Sequence, residues 1–215
     1  KKKNIKNCVD IGAHIGDYSF MLYKTLNCKV ISFEPNKNSY LELKKITKKS
    51  KNKIKPFNLA VSNKNSTSWL YYGSKKSQLA SLSNSINKIG YIGKSNINKV
   101  KVKTITLDSF FKKNKIINSI DLIKIDTEGY EYEVLMGAKK TINKYKPTFI
   151  QIEYNWHQLI RGTSLYKIHL LLKNYEAYRI LPFGKKLSKI DSIRPEENIF
   201  HLSNIVFFKK KHEKN

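Results

Sequence analysis

Cysteine is nearly missing from this chain. The two residues among 215, Cys8 and Cys28, cannot build a disulfide framework, and neither has CxxC or Cys/His spacing that would hold zinc. Each opens an apolar run and is expected to be a small buried hydrophobe. Long apolar runs are missing too, since none approaches the roughly 20 residues that cross a bilayer. The segment Lys1 to Asn7 is basic but lacks the apolar stretch and small-residue site of a signal peptide, so a soluble, cytoplasmic protein is expected. Acids are few. Sixteen Asp and Glu face 42 Lys and Arg, a formal net charge of +26, and such a field attracts polyanions. The lysines are nevertheless scattered, without an Arg-rich arm and with few aromatics among them. Lys, Asn and Ile are also abundant together, as AT-rich coding produces. Weak, non-specific polyanion binding is the expectation.

What is present is an alternation of β-branched apolar runs with helical patterns, the mark of βαβ units around a parallel sheet. Strands are predicted at Cys8–Ile11, Lys29–Phe33, Ile54–Val61, Lys101–Leu107, Asp121–Ile125 and Thr148–Ile152. Two late strands lie near Glu176–Leu181 and Ile199–Phe208, and Trp69–Tyr72 is an added strand or hairpin arm. Helices are predicted at Tyr18–Leu26, Asn36–Lys49, Asp108–Lys113, Glu131–Tyr145 and Ser164–Asn174. No repeat or linker divides the chain, so one domain over 1–215 is expected. Residues 73–98, rich in Ser, Asn, Lys and Gly, read as a lid-like insertion in which Gln78, Ser81 and Ser83 could close over an acceptor. The first strand starts close to the N-terminus, as in the catalytic part of a longer protein.

The first chemical signal is Val9-Asp10-Ile11-Gly12-Ala13-His14-Ile15-Gly16. Two glycines flank a strand-to-helix turn, where a missing Cβ lets backbone approach a ligand and the next helix offers free N–H groups. The spacing is neither the G-x-G-x-x-G of dinucleotide sites nor a P-loop ending in Gly-Lys-Ser/Thr. That shifts the ligand from pyrophosphate towards the methionine tail of S-adenosylmethionine. Glu34 ends the second strand about 20 residues after the glycine loop, where an acid can accept hydrogen bonds from ribose hydroxyls. The competing reading is a cap for the helix that follows, helped by Pro35.

These stretches resemble the FkbM-type methyltransferases, which transfer methyl groups from S-adenosylmethionine to oxygen. Residues 9–16 are similar to the family's first motif, Phe33-Glu34-Pro35 to its second and Asn58-Leu59-Ala60-Val61-Ser62 to its third. Ile123-Lys124-Ile125-Asp126-Thr127-Glu128-Gly129-Tyr130-Glu131 resembles its Ile-Asp-x-Glu-Gly-x-Glu signature, and Ile152-Glu153 its later acidic strand end. The resemblance covers about residues 8 to 155, with His14 standing where the family usually has Asn. It implies a Rossmann-like class I methyltransferase fold with a mostly parallel central sheet and helices on both faces. By resemblance, Asp10, Gly12 and Gly16 shape the methionine pocket, Glu34 holds the ribose, Ala60 and Val61 line the adenine, and Asp126 sits between cofactor and acceptor. Ala13, His14, Ser19, Pro35 and Asn36 complete the expected cofactor set.

The acids at 126–131 carry a reading of their own. Asp126 closes a buried strand, where open α/β sheets place ligands. Methyl transfer is an in-line displacement, so positioning dominates, but a neutral alcohol also needs its proton removed. Asp126 is the first candidate base, followed by Glu128, Glu153 and His157. Glu128 and Glu131 also suit a helix N-terminus as first-turn acids, and a lone histidine such as His157 is more often structural. Asp126, Glu128 and Glu153 are oxygen ligands suited to magnesium, yet no dense Asp cluster or HExxH pattern supports a metal, and none is assigned. The acceptor reads as a glycan or another small hydroxylated metabolite, with RNA 2′-O-methylation as the alternative and a non-catalytic binding module as the third. Adenine N-methylation is disfavoured, because residues 126–129 read Asp-Thr-Glu-Gly where a Pro-Pro-aromatic motif would stack the base. Cysteine-based C5 chemistry is excluded by the absence of cysteine near 126 or 153.

Overall fold

The computed structural model describes residues 4–73, 79–84, 88, 98–182 and 186–210. Strand β1 (Asn7–Ile11) lies at the centre, paired in parallel with β2 (Lys29–Phe33) on one side and β7 (Leu122–Ile125) on the other. Beyond them lie β3 (Ile54–Phe57) and β8 (Phe149–Tyr154), again parallel. The sheet then continues antiparallel through β11 (Ser203–Lys209), β9 (Tyr175–Ile180) and β10 (Leu187–Ile190), in the order β10-β9-β11-β8-β7-β1-β2-β3. All four residues of β7 are buried, as a parallel strand covered on both faces requires.

Strand alternation sends the side chains of β1 to two different cores. Cys8 joins Leu22 of helix α1 (Asp17–Leu26) and Leu43 of helix α2 (Lys37–Lys49). Val9 and Ile11 join Phe110 of α3 (Leu107–Lys113), Val134 of α4 (Glu131–Met136) and Ile142 of α5 (Lys139–Tyr145). Helices α6 (Trp156–Ile160) and α7 (Leu165–His169) follow β8. Cys8 and Cys28 are buried free thiols, their sulfurs 3.5 Å apart.

Three expected elements depart from the sequence reading. The strand expected over 54–61 is two strands, because Asn58 donates from Nδ2 to the carbonyls of Glu34 and Pro35 and turns the chain. Its second half, β4 (Ala60–Val61), belongs to a separate sheet with β6 (Asn98–Ile105) and β5 (Ser66–Tyr72), ordered β4-β6-β5. The helix expected over 131–145 breaks after Met136, where a Cβ on Gly137 would lie 2.1 Å from the Ser62 carbonyl oxygen. The helix expected over 164–174 ends as α7, followed by a 3-10 turn at Leu170–Leu172. Strand β10 and helix α6 have no counterpart in the sequence reading. Most of the expected 73–98 lid, Gln78 included, lies outside the described residues.

Candidate active site

The ends of β1, β2, β7 and β8 meet the inner face of the small sheet around a cavity of about 330 Å³, within the range of small-molecule sites. Its wall includes Gly12, Ala13, His14, Glu34, Pro35, Ala60, Val61, Asp126, Glu128 and Glu153, all expected from sequence. Five other expected residues stand behind that wall: Asp10, Gly16, Ser19, Asn36 and His157.

The glycine loop is shaped by protein contacts. Gly12 has φ +79, and a Cβ there would sit 1.7 Å from the Asp126 carbonyl oxygen, so only glycine lets the ends of β1 and β7 meet. Gly16, at φ +98, packs against Leu43 of α2 instead of opening onto the cavity. The N–H groups of Gly12 and Ala13 both donate to the Phe33 carbonyl at 3.0 Å. His14 adopts φ +50, a left-handed conformation in which Asn, Asp and His are enriched.

Glu34 is 6% exposed. Its two oxygens accept the His14 N–H at 2.8 Å and the Asn36 N–H at 2.7 Å, and burial pushes its carboxyl up to about 7. It does not cap α2. Asn36 does so, accepting from the N–H groups of Asn38 and Ser39. Glu34 is therefore free of the structural duty that competed with ligand binding, and each oxygen keeps a second lone pair.

Below the cavity, a polar row crosses the sheet on the α1 side. Register sets Ser32, Asp10, Lys124 and Gln151 side by side on β2, β1, β7 and β8. Asp10 is fully buried and accepts from Ser19 Oγ at 2.6 Å, while Ser19 Oγ lies 2.8 Å from Ser32 Oγ. Lys124 Nζ lies 3.7 Å from Asp10 Oδ1, 2.9 Å from Asp126 Oδ2 and 5.0 Å from the Tyr18 ring centroid. Burial alone would lower the Lys124 pKa, but the two carboxylates more than reverse this and raise it. Sequence reading passed over Lys124. The signal was a lysine inside the apolar strand Leu122-Ile123-Lys124-Ile125, since a cation in a buried strand needs a partner.

Carboxylate oxygens of Asp126, Glu128 and Glu153 lie within 4.8 Å of one another and could together hold a divalent cation. Burial, then the neighbouring acids, pushes Glu153 up to about 9 and raises Glu128 well above the carboxylate range. Among the described residues, Asp126 alone of the three has an ammonium partner, Lys124. Glu128 sits at φ +52, followed by Gly129 at φ +98. Glu131 closes this turn, its buried carboxylate accepting the Thr127 N–H at 2.8 Å and Gln158 Nε2 at 2.5 Å. His157 is 1% exposed, with Nδ1 3.0 Å from Glu128 Oε2, and burial lowers its pKa. The loop carrying Ser81 also reaches the site: Ser81 pairs with Tyr71 of β5 and donates from Oγ to the Glu128 carbonyl at 2.8 Å.

Residues 10–180 match the family model described as the methyltransferase FkbM domain. The chain belongs to the FkbM methyltransferase family. The family draws its methyl group from S-adenosylmethionine, which is this protein's cofactor. The cavity suits that group, for it joins a ribose-ready carboxylate, Glu34, to an acidic cluster that favours a cationic sulfonium. Among solved structures, the METTL16 methyltransferase domain matches at 9% identity and TM-score 0.52, covering 98% of this chain and 63% of that one. The fibrillarin/Nop5p complex matches at 10% identity and TM-score 0.50, covering 97% and 74%. M. capricolum TrmK with S-adenosyl-homocysteine aligns at 16% identity and TM-score 0.49, covering 99% and 67%. The first two place this FkbM protein in the class I methyltransferase fold. No curated protein sequence matches the chain. Among the described residues no helix is long and apolar enough to cross a membrane.

Proposed function

We propose that this FkbM protein is an O-methyltransferase whose acceptor is a hydroxyl of a glycan or another small hydroxylated metabolite. The chain acts as one catalytic domain in the cytoplasm. The observation that carries this reading is the 2.9 Å pairing of Asp126 with Lys124 on the same cavity wall as Glu153, which burial pushes up to about 9, and Glu128, which burial also raises. Glu34 and its neighbours would hold S-adenosylmethionine, which would supply an electrophilic methyl group for transfer to the acceptor oxygen. Asp126 receives the acceptor's proton. The protonated Glu153 donates a hydrogen bond to the same oxygen and fixes its direction, so environments that separate the acids also separate their roles. Lys124 keeps Asp126 in place and offsets its charge. His157 acts through Glu128 and does not touch the acceptor. Glu34, His14, Pro35, Ala60 and Val61 form the cofactor side, with Asp10, Ser19, Gly16 and Asn36 supporting it from behind.

The alternative acceptor is an RNA 2′-hydroxyl, favoured by the charge of +26. Incubation of the protein with labelled cofactor and separated glycan, lipid and RNA fractions tests the choice. Label is expected in the glycan or small-metabolite fraction, and efficient labelling of a defined RNA would overturn the preferred acceptor. Asp126→Asn should cut turnover by about 10²–10⁴, far beyond what its lost pairing with Lys124 takes from melting temperature or cofactor affinity. A variant with full turnover would move the base to Glu153.

A further inference from the structure

The aromatics that the sequence keeps apart from the lysines are brought among them by the small sheet. Strands β5 and β6 pair antiparallel, with Thr67 opposite Lys103, Trp69 opposite Lys101 and Tyr71 opposite Lys99. Directly opposed residues share a face, so all six project together, away from the face that holds Leu70 and Val102. Leu70 lines the cavity, whereas Trp69 is 39% exposed. The ammonium groups of Lys99 and Lys101 lie 4.9 and 5.4 Å from the Trp69 ring centroid. Among the described residues none of the three lysines has an acid within ion-pair distance.

We infer that this outer face of the small sheet binds the acidic stretch of a uronate-bearing polysaccharide, holding the chain whose hydroxyl is methylated in the adjacent cavity. The inference rests on the glycan reading above and names its substrate class. An exposed indole offers a flat apolar platform to the C–H face of a pyranose ring. A uronate carries its carboxylate directly on that ring, so the charge falls at the rim of the stacked sugar. Lys99 and Lys101 reach that rim by swinging their flexible stems off the indole. Lys103 continues the cationic row for the next residue. A nucleic-acid strand fits less well, because successive bases need a run of stacking platforms and this face offers only the aromatics Trp69 and Tyr71. The path to the chemistry is short: Tyr71 of the same face pairs through its backbone with Ser81, which donates to the carbonyl of Glu128.

Titration of the full chain with an oligogalacturonate tests the inference. Comparison ligands are the same oligosaccharide with its carboxylates reduced to alcohols, a phosphodiester-linked sugar chain, and a single-stranded RNA of equal charge. The oligogalacturonate is expected to bind tightest and to quench Trp69 fluorescence. The triple variant Lys99→Gln, Lys101→Gln, Lys103→Gln should bind it at least ten-fold more weakly, with a salt dependence shallower by about two to three log units per log unit. Trp69→Ala should weaken binding without changing that slope. Cofactor affinity should stay unaltered in every variant. Equal affinity for the reduced oligosaccharide, tighter binding of the phosphodiester chain or the RNA, or an unchanged slope in the triple variant would each overturn it. Methyl transfer to a short hydroxylated acceptor reports separately on the glycan reading, so failure of the docking face and failure of that reading are distinguished.

Discussion

The two faces of the central sheet are built on different principles. On the α3–α5 side, Val9, Ile11, Ile123, Ile125 and Phe110 form continuous hydrocarbon with no charge among them. On the α1 side, hydrocarbon around Cys8, Leu22 and Val30 stops at the row Ser32–Asp10–Lys124, directly under the cavity. The first face spends its burial on cohesion, and a volume change there is felt everywhere. The second contains buried charges that cost stability unless fully partnered, and here the partners end in Asp126, which lines the site. Same strands, opposite pleats, different tasks.

The strongest way to break this comparison is to damage each face once. Phe110→Ala and Lys124→Met should each destabilise the fold by about 3–5 kcal/mol, the first through an empty volume and the second through an unpaired Asp10 carboxylate. Only the second loss should shrink as pH falls and Asp10 takes up a proton, and adding Asp10→Asn should relieve it. Denaturant midpoints measured across pH decide the matter. Identical pH profiles for the two variants would erase the distinction.

A smaller effect is expected at the cofactor end. Glu34→Ala removes the carboxylate proposed to accept from the ribose hydroxyls, bonds worth about 1.5–3 kcal/mol each, and should weaken S-adenosylmethionine binding at least ten-fold. Calorimetry showing an unchanged dissociation constant would remove Glu34 from the ribose.

The smallest expected effect concerns pH. The folded chain raises Glu34 to about 7 and Glu153 to about 9 from an ordinary 4.5, so it holds protons that the unfolded chain has released. Their contribution to stability is complete below about 4.5 and is lost as pH rises through the folded values. His157, lowered by burial, acts in the opposite sense only below its ordinary 6.5. Melting temperature of the ligand-free protein should therefore decline between about pH 7 and 9. The cationic cofactor, which favours ionised acids, should protect better at the upper end than its uncharged-sulfur product. A melting temperature that climbs over this interval contradicts the sign.

The apolar half of this architecture was legible in the residues. Runs such as Lys29–Phe33 announce parallel strands because both their faces are buried, and the glycine loop and Glu34 announce a ligand because their spacing has a geometric use. Lengths and breaks were less legible. The split at Asn58 depends on carbonyls 23 and 24 residues earlier, and the break near Gly137 on the backbone of Ser62, contacts that no local pattern contains. The site divides the same way. Asp126, Glu128 and Glu153 stand out as acids at strand ends, whereas Ser81 reaches Glu128 through a fold-dependent bridge. His157 reads in the sequence either as a candidate base or as a structural histidine, and it is buried behind Glu128, because Gly129 leaves room for it to pack there.

The contact of Gly12 with the carbonyl of Asp126 bears on how this enzyme can be re-engineered. The glycine loop and the end of β7 share a boundary without room for one added methyl group, so that wall is a fixed part of the scaffold. Another part of the wall is assembled from Leu70, Ala80 and Leu82, small or medium side chains on the small sheet and its bridging segment. Directed evolution towards new acceptors should accumulate its substitutions at those three positions and leave 12 and 126 untouched.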